Sequence, residues 1–255
     1  MNILQPDATE IAGAVTPREY NRVLGMPRDR VLEDDLLERA QSARRWFEEN
    51  GNPFVAYERV ELNEVTSATC LVGSRLHLTE LRSVVLAQRL KSGEAHALIV
   101  MVVSAGPNVA EQVALHWKEG RPDEAFFLDR LAVAITEHLV FWASGNICRA
   151  SERERETLLP HLAPGCGNWD INDQHKLMSL LTGGAATAGP VQLLSTGALH
   201  PQHSYLTAMG VTRHNFPNSP EYLCRSCDLK PCSFRRAPYR GDLIFSTETN
   251  TKVDL

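Results

Sequence analysis

Residues Ala97 to Val103, Ala-Leu-Ile-Val-Met-Val-Val, form the longest apolar run in the chain. Seven residues fall far short of the ~20 that a membrane-spanning helix needs. A continuous apolar run of this length reads instead as a buried strand. The chain has 255 residues, enough to bury most of its apolar surface in one large domain or two small ones. Its formal charge of −5 gives no basic excess to drive non-specific nucleic-acid binding. The N-terminus, MNILQPDATE, lacks the basic and apolar regions of a signal peptide, so a cytoplasmic location is expected. Six cysteines in that setting read as thiols, metal ligands or redox groups before structural disulfides.

Helical patterning surrounds the apolar run. Thr16-Pro17-Arg18-Glu19 has the form of a capping box with proline at the first helical position, and predicts a short helix to Leu24. Val31 to Asn50 carries Leu32, Leu36, Leu37, Ala40, Ala43, Trp46 and Phe47 at helical spacing. Phe54 to Leu62 reads as a strand, and Leu81 to Leu90 as a helix closed by Gly93. After the turn Ser104 to Pro107, one helix carries Val109, Val113 and Trp117. A longer one opens at Pro122 with Leu128, Leu131, Ile135, Leu139 and Trp142 as its stripe. Ser151 to Glu154 has a second capping-box form, and a further helix is predicted near Ile171 to Leu181, stopped by Gly183 and Gly184. Helices and strands mingle without a βαβ rhythm, which predicts an α+β fold.

The sharpest chemical signal is Cys224-Arg-Ser-Cys227-Asp-Leu-Lys-Pro-Cys232. Three thiols within nine residues can reach one centre, and thiolates suit zinc or an iron–sulfur cluster. Cys166 is the first candidate for a fourth ligand, with His200 and His203 as others. The same thiols can equally stand reduced in a loop or form one disulfide. The loop His161 to Asp170 contains Gly165, Cys166 and Gly167, and its glycines suit either close approach to a ligand or a tight turn before a capped helix. Asp129 and Glu137 lie eight residues apart on roughly one face of the long helix, either partly buried or on a solvated face. No Gly-x-Ser-x-Gly, Walker A or His-Glu-x-x-His pattern occurs, and the single glycine of Ser104 to Pro107 is no dinucleotide fingerprint.

Taken together, these segments resemble the activation domain of vitamin B12-dependent methionine synthase in its short stand-alone form, from about residue 16 to 240. Thr16 to Gly25 is similar to the opening helix of the short forms, Leu98 to Gly106 to their buried strand and turn, and Glu124 to Glu137 to their long helix. His161 to Asp170, followed by Gln174, resembles the Arg-x-x-x-Gly-Tyr loop. Leu199 to Ser204 resembles the proline–serine segment before the final strand. The terminal cysteines with Arg235 and Arg236 resemble the tail of some members. The resemblance implies a curved α+β domain with a central antiparallel sheet and flanking helices. An N-terminal extension would occupy 1–15 and a polar tail 241–255.

The resemblance also implies a function: S-adenosylmethionine bound on the concave face and presented to a partner's Co(II) cobalamin for reductive methylation. The implied partner is a corrinoid-binding methionine synthase subunit or another corrinoid protein, with a reductase as electron donor and no nucleic acid or membrane. The family arginine falls at His161, its glycine at Gly165 and its tyrosine at Cys166. With Gly167, Pro201 and Ser204, these are the implied cofactor-binding residues. Histidine lacks arginine's bidentate fork, so weak binding is implied. Cys166, Cys224, Cys227 and Cys232 would form the metal or cluster site. Gly197 to Ser204, with His200 and His203, would meet the corrinoid partner. The alternatives are a cysteine-ligated accessory protein of corrinoid metabolism without S-adenosylmethionine, and a regulatory domain that uses the fold as a binding surface.

Overall fold

The run Ala97–Val103 lies in a strand that extends to Ser104, and all eight residues are buried. The computed structural model describes residues 1–151, 154–166, 168–214, 224 and 235–238. The first part of the chain contains β1 (Asn2–Leu4), α1 (Ala8–Ala14), α2 (Pro17–Val23), α3 (Asp34–Asn50), β2 (Phe54–Val65), β3 (Thr69–Ser74) and β4 (His77–Arg82). Then come α4 (Val84–Ser92), β5 (Ala97–Ser104), α5 (Pro107–Lys118) and α6 (Pro122–Ala150). The remaining described elements are β6 (Thr157–Leu158), α7 (Asp173–Thr182), β7 (Thr187–Ala188), β8 (Val191–Leu193), β9 (Leu199–His200) and β10 (Ser204–Thr212).

The main sheet is antiparallel, in the order β4-β3-β2-β5-β10-β6, with β1 also on β2. It curls into a half-barrel. Val103 of β5 stands opposite Val55 of β2 on one side and Tyr205 of β10 on the other. Alternate side chains of a strand point to opposite faces. Ile99, Met101 and Val103 therefore enter a core built with α1, α2, α3, α5 and α6. Leu98, Val100 and Val102 enter a second core with α4, α7 and the small sheet β7-β8-β9. An antiparallel strand with one wet face would alternate in polarity. This one is apolar throughout because both faces are covered.

Helix α6 carries the larger core. Leu128, Leu131, Ile135 and Leu139 are all at or below 2% exposure. By length and composition this helix could cross a membrane, yet 56% of its apolar window is buried inside the protein, as suits a core helix. Gly106 lets α5 start beside β5. Its φ is +100°, and a Cβ there would lie 2.1 Å from the Asn52 side chain.

Several local expectations shift. Only half of the capping box at Thr16 forms. Its hydroxyl accepts from the Glu19 N–H, while the Glu19 carboxylate turns to arginines. Helix α3 starts at Asp34, not Val31, because Asn21 Nδ2 donates to the carbonyls of Arg28 and Arg30 and holds that stretch as a loop. Leu81 belongs to β4, opposite Cys70. The helix begins three residues later, at Val84, capped by the Ser83 hydroxyl, which accepts from the Leu86 N–H at 3.1 Å. Ser151 closes α6 as its C-cap. Trp117 stands 59% exposed, off its predicted stripe. Residues before Thr16 join the fold: β1 pairs with β2, and Ile11 is fully buried.

Candidate functional site

One face of α6 borders a cleft near the start of β10. Val133, Thr136, Glu137, Val140 and Phe141 recur at helical spacing there and line the cleft, which has a volume of about 340 Å³. The opposite wall comes from Gln202, His203, Ser204 and Tyr205, where β10 begins. His161 and Arg236 complete the lining. The pairing of β10 with β5 fixes this wall. Ser204 sits opposite Ser104, and its hydroxyl donates to Ser104 Oγ at 2.9 Å and lies 2.6 Å from the Pro201 carbonyl.

Two charged clusters mark the helix face. At one end Asp129 Oδ1 accepts from His203 Nε2 at 3.0 Å and from Gln202 at 3.2 Å. The bond from His203 outweighs burial and holds the Asp129 carboxyl below its ordinary range. Thr136 Oγ1 is 3.2 Å from the His203 carbonyl and ties the backbone of that segment to α6. His203 is 6% exposed, and its Nδ1 has no partner among the described residues.

At the other end Glu137 meets Arg22 and Arg236. Arg236 donates to Glu137 Oε2 at 2.7 Å and to Glu19 Oε2 at 2.9 Å, and Arg22 bonds to the same two carboxylates. Burial alone would raise the Glu19 carboxyl, but the two guanidiniums outweigh it and hold it down. Burial opposes the charge on Arg236, and the two carboxylates more than restore it. Arg236 reaches the cleft because its main chain is anchored. Arg28 Nη1 donates to its carbonyl at 3.0 Å, and its own N–H meets Cys224 Sγ at 3.2 Å.

His161 faces the cleft, but as a neutral aromatic. Its ring makes edge contacts with Phe141 at 5.5 Å and Tyr205 at 5.8 Å. Burial, with Arg89 and Arg236 nearby, pushes its imidazole down to about 3. It therefore supplies no cation at neutral pH.

The expected site residues thus separate. His161 and Ser204 line the cleft, and Pro201 is buried at its edge. Gly165 and Cys166 are exposed and absent from the lining. Their loop is a turn closed on itself. Gly165 N–H donates to Trp169 O at 2.7 Å, and Trp169 N–H to Cys166 O at 3.0 Å. Trp169 is buried and donates to Asp173, whose carboxylate also accepts from the Arg82 N–H and pairs with Lys176. Asn172 is the N-cap of α7 but makes no side-chain capping bond, and Asp170 accepts from the Asn172 N–H. Gly167, Cys227 and Cys232 lie outside the described residues. Among those described, no three His, Cys, Asp or Glu side chains converge to hold a metal.

The sequence singled out Asp129 and Glu137 but not their partners. The one hint was Arg235-Arg236 in the tail. Nothing local announces that Glu19 and Arg22 meet Arg236, more than 200 residues away, around Glu137.

A second polar cluster lies elsewhere on the sheet. Glu156 accepts from Arg59 at 2.5 and 2.9 Å and from His96 Nε2 at 2.7 Å. These bonds hold its carboxyl down at about 2. It borders an open hollow of about 400 Å³ with Arg59 and Cys148.

No protein-family model matches this sequence, and no curated protein matches it. Among solved structures, the chain is similar to the MetH reactivation domain bound to AdoHcy. The TM-score is 0.61 at 12% identity, over 86% of this chain and 80% of that one. The fold is that of the MetH reactivation domain. The curved α+β fold with a central antiparallel sheet, expected from the resemblance of short segments, is thus present over most of the chain. In this MetH reactivation fold the cleft lies between the long helix α6 and the start of β10, and its charged end is closed by a segment that follows the sheet.

Proposed function

We propose that this protein is a stand-alone reactivation protein for a cobalamin-dependent methionine synthase or a related corrinoid protein. It supports reductive methylation of the partner's Co(II) corrinoid: one electron from a reductase and the methyl group of S-adenosylmethionine yield methyl-Co(III) and S-adenosylhomocysteine. The observation that carries this reading is the likeness of the fold to a reactivation domain that binds AdoHcy.

The cleft supports it. Phe141, Tyr205 and the neutral ring of His161 offer aromatic edges and faces to a planar base, while charged groups stand at both ends. Because His161 carries no charge, it holds no ligand carboxylate, and binding is expected to be weak, in the high-micromolar range of roughly 5–6 kcal/mol. The exposed turn with Gly165 and Cys166 serves the neighbouring helix rather than the ligand. Without a tether, the partner must be found by surface contact, and Gly197 to Ser204 is the proposed contact. On this reading the protein works in the cytosol.

The test mixes the protein with a Co(II) corrinoid subunit, a reductant and S-adenosylmethionine, and follows methyl-Co(III) formation optically. Stimulation that disappears when residues 200–204 become alanine, in a variant with unchanged circular dichroism, is the expected result. No stimulation with any cognate corrinoid subunit overturns the reading.

A further inference from the structure

Arg236 and Glu137 share a bond that uses only part of each group. Arg236 places Nε and Nη2 on the two carboxylates, which leaves Nη1 without a partner among the described residues. Glu137 receives both of its arginines on Oε2, so Oε1 has no partner among them either. Neither atom is among the sealed, unpartnered polar atoms of the protein, and both residues border the cleft. The Arg236 side chain is 13% exposed and that of Glu137 31%. The cleft therefore ends in an open guanidinium donor beside an open carboxylate acceptor.

Both groups are held before any ligand arrives. Glu19 and Arg22 flank the pair from α2, and Arg28 fixes the Arg236 main chain. Such a support makes the geometry of a site rigid. The two open atoms carry opposite charge, so a ligand with an ammonium beside a carboxylate answers both at once. The aromatic wall of Phe141, His161 and Tyr205 runs along the same cleft.

We infer that Glu137 and Arg236 form a clamp for a free α-amino acid group, with the ligand ammonium on Glu137 Oε1 and its carboxylate on Arg236 Nη1. The assignment rests on the reactivation reading for the nucleoside half of the ligand, and it sets the specificity of that site. The occupant must be an adenosyl thioether or sulfonium whose amino-acid tail is intact. The carboxylate-holding cation comes from residue 236, behind the sheet in sequence, and not from the loop at 161.

Calorimetry on the full chain with three probes tests this. S-Adenosylhomocysteine should bind at least about tenfold tighter than 5′-methylthioadenosine, which lacks the amino-acid group; that is the scale of a charge-assisted hydrogen bond. In Arg236→Lys and Glu137→Gln the gap between the two ligands should close. The comparison in the unaltered protein needs no variant, so a misfolded mutant does not blunt it. Equal affinity for both nucleosides overturns the clamp and leaves the reactivation reading standing. If the nucleosides fail to bind but L-methionine binds and Arg236→Lys abolishes it, the clamp stands and the reading loses its ligand. Silence with all three probes overturns both.

Discussion

The cluster at the cleft and the cluster around Glu156 are both built from carboxylate and guanidinium, yet they differ in saturation. Glu156 is 5% exposed, and both of its oxygens are taken, by the fork of Arg59 and by His96. Such a carboxylate is neutralised and directed inward, and it secures the chain where α6 gives way to β6. Glu137 crowds both arginines onto one oxygen. Its other oxygen and Arg236 Nη1 remain beside a cleft. Composition alone would rank the two clusters together. Counting donors and acceptors atom by atom separates a brace from a receptor.

The largest effect that would break this contrast is expected at Arg22, whose side chain is 2% exposed between Glu19 and Glu137. Arg22→Ala removes one of two cations from a buried cluster and should cost about 3 kcal/mol of stability in chemical denaturation. An unchanged midpoint would reduce the cleft cluster to a surface feature.

Next in size is Glu156→Gln, expected to cost about 2 kcal/mol at pH 7, less than a fully buried pair because Arg59 is 41% exposed. Its pH dependence has a definite sign. A carboxyl held at about 2 in the folded state, against an ordinary 4.5, adds stability that is fully present above 4.5 and is lost as pH falls toward 2. The gap between the native protein and Glu156→Gln should stay constant above about pH 5 and shrink below it. Nucleoside binding at the cleft should not change. A loss of binding there would join the two clusters into one device.

His161→Phe should be smaller and pH-selective. An imidazole pushed down to about 3 disfavours protonation, so the unfolded chain takes up the proton first as pH falls below 6.5. The native protein should lose about 1 kcal/mol per pH unit below that point on this account, and His161→Phe should not. Near pH 8 the two should match within about 1 kcal/mol. An imidazole resonance of His161 that titrates near 6.5 would sink the idea of a neutral aromatic wall.

The smallest effect belongs to Asp129→Asn. It keeps the volume but weakens the acceptor for His203, and about 1 kcal/mol is expected in thermal melts. No change in the melt would show that the Thr136 contact alone holds the segment.

The core strand was legible because its seven apolar residues admit few alternatives, and α6 because its stripe is long. The hairpin of β3 and β4 was not. His77 to Arg82 mixes exposed Leu78 with buried Leu81, and only pairing with β3 decides which leucine turns inward. The short elements before Thr16 escaped for the same reason, since β1 has three residues and gains its stability from β2. At the site, Asp129, Glu137, His161, Pro201 and Ser204 were all named from the sequence. Gly165 and Cys166 were named beside them because the resemblance puts the family glycine and tyrosine there; in the structure both are exposed.

Local chemistry determined which segments could be helix or strand, where Pro17, Pro107 and Pro122 open helices, and that an apolar strand must lie between two covered faces. Those properties depend on residues within a few positions of one another. Tertiary structure alone decided that Arg236 reaches Glu137 across 99 residues and Arg22 across 115. It also decided that His161 loses its charge among aromatic rings. Charge state and spare hydrogen-bonding capacity depend on what surrounds a group in space, and in this protein those surroundings are assembled from the two ends of the chain.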